Sequence, residues 1–113
     1  MVQSLWTYQI NSSRLWSMMF HALVLDKKDN VATAVRRLEK GDSISVGIED
    51  STAEIVLLQA IPFGHKFALR DIQQGGRIIK YGETMGQATT KIRKGEHVHT
   101  HNVEGLKGRG DNL

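Results

Sequence analysis

Three of the chain's five histidines fall within five residues, in "KIRKGEHVHTHN", at positions 97, 99 and 101. On an extended strand alternate side chains share a face, so His97, His99 and His101 point the same way. Neighbours two apart stand ~7 Å from one another at Cα, a spacing that lets two imidazoles converge on one metal ion. His97 and His101 would be about 13 Å apart on a straight strand, so one ion taking all three needs a bulge or a bend. The ligand unit is therefore a His-x-His pair, with any third ligand coming from elsewhere. Imidazole suits Fe, Zn, Ni or Cu without choosing among them. The same spacing equally describes a solvated polar strand face, and the residues alone leave both readings open.

A second stretch, "PFGHK", sets His65 and Lys66 just after a turn favoured by Pro62 and Gly64. Adjacent strand residues face opposite ways, so only one of the two can enter a given site. His65 can act as acid, base or ligand near neutral pH. Lys66 can hold a carboxylate as a point charge. The alternative is a histidine satisfying a turn carbonyl beside a solvated lysine. In "KYG", Lys80 and Tyr81 stand next to Gly82; the Tyr81 hydroxyl can orient a ligand hydroxyl, while a half-buried tyrosine capping the core is the commoner use. The run Asp26 to Asn30 has oxygen ligands without calcium-loop spacing and reads as a turn. "RGD" at 109–111 is too short a match to argue adhesion, and no nucleophile elbow, P-loop or dinucleotide fingerprint is present.

The elements that must position these groups show an internal echo. "AVRRLEKGDSI" (34–44), "ALRDIQQGGRI" (68–78) and "ATTKIRKGEHV" (88–98) each have Ala first, Leu or Ile fifth, Gly eighth and Ile or Val eleventh. The pattern predicts a short helical turn with two inward apolar residues, a glycine turn, then a strand. "HALVLD", "NVATAV", "AEIVLLQAI" and "HKFALRD" are likewise short and apolar, with Gly, Asp, Asn or Pro between them. No helical stripe exceeds about two turns. A mainly β domain of many short strands, tight turns and short helical turns is expected over residues 19–104. Residues 1–18 read as an extension or an early start, and "GLKGRGDNL" as a flexible tail over 105–113.

Composition sets outer bounds. The chain has 113 residues, 40% hydrophobic and 24% charged, enough for one domain with a modest core. With no cysteine, thiolate catalysis, disulfides and Cys-ligated metal are excluded. The formal charge of +3 is spread along the chain without a nucleic-acid-binding motif, so nucleic acid is not an expected partner. No apolar run approaches the ~18–20 residues of a membrane span, and a cytoplasmic location is expected.

"LDKKDNVATAV", "IPFGHKFALRDIQQGGRIIKYGETMGQAT" and "IRKGEHVHTHNVEGLKGRGD" together resemble the SAF domain of the altronate/galactarate dehydratase family, in order and over most of residues 19–111. The resemblance implies a compact SAF domain of the β-clip type that works with a large catalytic region, fused or as a separate subunit. Family members usually begin close to Met19, which sets residues 1–18 apart. It implies a sugar-acid dehydratase or a sulfolactate sulfo-lyase, with a divalent metal, Fe2+ first and Mn2+ or Zn2+ as alternatives. It favours His97, His99 and His101 as ligands and His65 with Lys66 as catalytic groups. Lys80 and Tyr81 are the candidates for substrate binding. The expected partners are a large dehydratase subunit, a sugar-acid or sulfolactate substrate and, compatibly, further copies of the chain. A non-catalytic SAF binding module is the alternative from another class.

Overall fold

A computed structural model describes residues 21–48 and 51–106. The extension over 1–18 and the "RGD" tripeptide lie outside the described residues. The chain forms nine short strands: β1 (Ala22–Leu23), β2 (Val31–Ala34), β3 (Ser43–Ile48), β4 (Ser51–Val56), β5 (Lys66–Ala68), β6 (Arg77–Lys80), β7 (Glu83–Ala88), β8 (His97–Val98) and β9 (Val103–Glu104). The mainly β expectation holds. A central antiparallel sheet runs β1-β2-β5-β8, the hairpin β3-β4 forms a second sheet and β6-β7-β9 a third.

The repeated motif explains how so many short strands cohere, and the structure contains a fourth copy. "LLQAIPFGHKF" (57–67) has an apolar residue first, Ile fifth, Gly eighth and Phe eleventh. The three-copy reading overlooked it because Leu57 replaces the Ala and Phe67 the aliphatic. All twelve apolar positions of the four copies are buried, none more than 4% exposed. The copies pair two by two. Leu38 and Ile61 exchange both backbone hydrogen bonds at 2.9 Å, and Ile72 and Ile92 do the same at 2.7 and 2.8 Å. Gly41 donates to the Leu57 carbonyl and Gly64 to that of Ala34, while Gly75 donates to Ala88 and Gly95 to Ala68, each at 2.8 Å. Each pair is thus a local two-fold clip. In place of the expected helical turn, a two-residue bend leads from the strand to a single bridge residue. Pairing across the clip satisfies the backbone groups that a helical turn would have satisfied locally.

Each motif glycine sits third in a four-residue turn, with φ between +83° and +89°. The turn closes from residue 42 to Glu39, His65 to Pro62, Gly76 to Gln73 and Glu96 to Arg93. A Cβ resists this conformation, so the glycine is a backbone requirement. Side-chain alternation in the central sheet then feeds two cores. Ala32, Ala34 and Phe67 join the cluster containing Leu38, Ile44, Ile55, Leu57 and Ile61. Val31, Ala68 and Val98 join the cluster containing Ile72, Ile78, Ala88 and Ile92.

Two glycines separate conformational from steric demand. A Cβ on Gly41 would meet nothing within 4 Å, whereas one on Gly95 would collide with the Val56 carbonyl oxygen. G41A should cost about 1–2 kcal/mol, the left-handed penalty alone. G95A should cost at least twice that, read as the shift in urea midpoint. Equal losses would mean that the Gly95 approach is not needed for the fold.

Candidate metal centre

The β5–β8 register assembles the site. Lys66 pairs with Val98 and Phe67 with His97. Extended by one residue, that register sets His65 opposite His99, and both share a face with His97. The His65 and His99 rings stack with centroids 3.8 Å apart and 9° between planes. His65 lies 5.1 Å from His97 centroid to centroid, and His97 lies 5.7 Å from His99. His65 Nδ1 and His97 Nε2 are 2.9 Å apart, so one nitrogen donates a proton to the other. The three residues offer ligand atoms all within 4.8 Å of one another, and each is half-buried.

The converging trio differs from the strand triplet of the sequence. His97 and His99 form the His-x-His pair, and His65 supplies the third imidazole from another strand. His101 is exposed and lies outside the trio, its ring tilted 40° against His97 at 5.1 Å. The chain turns after Val98, with Asn102 N–H bonding the His99 carbonyl at 3.1 Å, so the straight-strand spacing ends there. The fifth histidine, His21, is engaged elsewhere, accepting from Arg36 Nε at 3.0 Å.

Lys66 takes the other face of β5, as alternation requires, and borders a cavity with Ile78, Met85, Val98 and Val103. Burial, then Lys80, lowers its pKa from the usual lysine value. Tyr81 and Gly82 are the two left-handed residues of the β6–β7 hairpin turn, with φ of 55° and 80°. Tyr81 is 41% exposed, and Lys80 Nζ lies 4.7 Å from its ring centroid. Asp26 to Asn30 is a turn, with Asp29 N–H bonding the Asp26 carbonyl and Asp26 Oδ1 accepting from Lys28.

Two positioning residues went unread in the sequence. β8 is an edge strand, yet side chains occupy the outward backbone groups of His97. Gln59 Oε1 accepts from its N–H at 2.8 Å, and Asn102 Nδ2 donates to its carbonyl at 2.9 Å. Asn102 Oδ1 also accepts from the His99 N–H at 3.0 Å, and the residue is 1% exposed. Asn102 was visible in "HTHN", where an asparagine in a histidine turn is a candidate for backbone capping. Gln59 gave no local signal.

The electrostatics favour neutral rings. His97 is pushed down to about 4, first by burial and then by repulsion from His101, His65 and His99. His99 is also lowered, by burial first, then by His65, Lys66 and His101. Neutral imidazoles keep a lone pair free at physiological pH, the form a metal requires. The all-imidazole donor set and its convergence fit a borderline divalent ion such as Fe2+ or Zn2+ better than the oxygen-seeking Mg2+ or Ca2+.

Comparison with known proteins gives this geometry a family. Residues 20–106 match the altronate/galactarate dehydratase SAF domain. The chain belongs to this family. It is 45% identical to altronate dehydratase of Escherichia coli K12 over 75 residues, 66% of this chain and 14% of that protein. It is 38% identical to the (2R)-sulfolactate sulfo-lyase subunit alpha of Chromohalobacter salexigens over 85 residues, 73% of this chain and 90% of that subunit. A Bacillus subtilis altronate dehydratase is 35% identical over 85 residues, 71% of this chain and 15% of that enzyme. The SAF chain therefore spans about a seventh of the altronate dehydratases and nearly all of the sulfo-lyase subunit.

Two measurements check the site without any ligand. His97 should titrate near pH 4 by NMR, against about 6.5 in the unfolded chain. The folded pKa is the lower one, so its stabilising contribution is complete above pH 6.5 and declines as pH falls from 6.5 to 4. N102A leaves two buried backbone groups unpaired and should cost about 1–3 kcal/mol in chemical denaturation. A cost below 0.5 kcal/mol, roughly the level of a surface substitution, would mean that Asn102 does not hold the turn.

Proposed function

We propose that this chain is the small SAF-domain subunit of a two-part lyase that dehydrates a sugar acid, with His65, His97 and His99 holding a divalent metal at its junction with a large catalytic subunit. One observation carries the reading: three imidazoles at the ends of β5 and β8 converge with their ligand atoms within 4.8 Å. The span shared with a protein named as subunit alpha supports the division of labour, since the chain covers 90% of that subunit.

Dehydration of a 2,3-dihydroxy acid removes the proton α to the carboxylate and expels the β-hydroxyl as water. A metal held by the three histidines would act as a Lewis acid toward a substrate oxygen. The chain's own groups then have limited tasks. His97 and His99 present neutral nitrogens from a strand held by Gln59 and Asn102. His65 Nδ1 and His97 Nε2 share one N–H, so for either of these nitrogens to serve as a ligand that proton would have to sit on the other nitrogen of its ring. The carbon-acid base and the carboxylate clamp come from the large subunit. The sulfo-lyase reading keeps this arrangement and eliminates sulfite in place of water. It is favoured specifically by the two sulfo-lyase alpha subunits, from Chromohalobacter salexigens and Paracoccus pantotrophus, among the relatives.

The test is co-purification from source cells, identification of bound proteins, and assay of the eluate on altronate, galactarate and sulfolactate with ferrous iron. A large lyase subunit with turnover is the expected result, and the substrate consumed decides between water and sulfite. A chain recovered alone, inert and metal-free would instead make it a free binding module. In the complex, H65A, H97A and H99A should each lower metal affinity at least about tenfold, while H101A stays within threefold, measured by competition with a chromophoric chelator. Equal loss on H101A would restore the three-histidine strand as the ligand set.

A further inference from the structure

The face of β5 turned away from the imidazoles has its own chemistry. Lys66, Ile78, Met85, Val98, Thr100, Val103 and the borders at His99 and Gly105 enclose a cavity of about 270 Å³. That volume lies just below the ~300–1,000 Å³ typical of small-molecule sites. Its walls are aliphatic or thioether, drawn from β6, β7, β8 and β9. The one formally charged side chain on its lining is that of Lys66, and no carboxylate lines it. Among the described residues the half-buried Lys66 ammonium has neither a hydrogen-bond acceptor nor an acidic partner, the single ion pair being Arg37–Glu39 at the surface. Cross-strand from it stands Thr33, whose buried Oγ1 is the one buried side-chain polar atom without a partner among the described residues.

A half-buried cation without a counter-charge is a costly arrangement unless something supplies the charge. An apolar cavity with a single cation selects for a molecule with one anionic end and an apolar body. A polyhydroxy acid is a poorer fit, because most of its hydroxyls would face Ile78, Met85, Val98 and Val103, with Thr100 and His99 the other polar side chains on the lining. We propose that this cavity is a second binding site, taking a short apolar monocarboxylate whose carboxylate pairs with Lys66 and whose body packs on Ile78, Met85, Val98 and Val103. The site is separate from the imidazole cluster and does not rest on that cluster holding a metal. The two share a border at His99, so occupancy of one reaches the other through a single residue.

The probe is sodium valerate, titrated into the full chain and followed by methyl and amide NMR, with valeramide as the neutral control and galactarate as the polar acid. Saturable shifts on the Ile78, Val98 and Val103 methyls with valerate, absent with valeramide, are expected. K66M should weaken valerate at least about tenfold while K66R retains it. Well-dispersed spectra of each variant show that folding is not what changed. Valerate binding that is equal in K66M, or matched by valeramide, overturns the assignment. Shifts scattered beyond the cavity overturn it too. Galactarate displacing valerate would merge the cavity with the sugar-acid site and overturn the claim of a second one.

Discussion

Strand β5 is the constraint on which the rest depends. Phe67 closes the motif copy at 57–67 and Ala68 opens the next, so one three-residue strand belongs to both clips at once. It pairs with β2 on one side and β8 on the other, and its side chains alternate between two cores. Phe67 anchors one core and Ala68 the other. A shift of register by one residue would exchange every side chain between faces, turning Lys66 toward the core that holds Phe67 and Phe67 toward the smaller space beside Ala68. Burial of Phe67 therefore enforces the placement of His65 and Lys66 on opposite sides.

That alternation divides the chemistry. On one face, three imidazoles at the ends of β5 and β8 stack with nearly parallel planes, and burial first, then repulsion among the rings, lowers the pKa of His97 and His99. On the other, an ammonium stands against aliphatic walls with no counter-charge. Both arrangements carry unpaid electrostatic demand, which a fold with no other business would resolve by substitution. Around the histidines, the polar backbone is well satisfied: Gln59 and Asn102 close the edge of β8 where another strand would otherwise add.

Family membership fits this division. The domain recurs within altronate dehydratases about seven times its matched length and nearly fills a sulfo-lyase subunit. A domain of this size offers ligands and a docking face more readily than an enclosed site for a six-carbon acid. Under the proposed function, the SAF domain carries a few placed side chains and the larger partner supplies most of substrate recognition.

The sequence by itself determined the strand-rich class, three of the four motif copies, the positive-φ glycines and the His-x-His unit. Those are local properties: period-two alternation, turn chemistry and spacing act within a dozen residues. Tertiary structure decided the rest. It recruited Leu57–Phe67 as the fourth copy, because a clip is recognised by its reciprocal hydrogen bonds and not by whether Ala or Leu stands first. It brought His65 into the cluster, 32 residues from His97, and turned His101 out of it. It assigned Gln59 and Asn102 to the backbone of β8, a task fixed by which strand ends at the sheet edge. Pairing partners lie far apart in the chain, and only closure of both clips puts them within bonding distance.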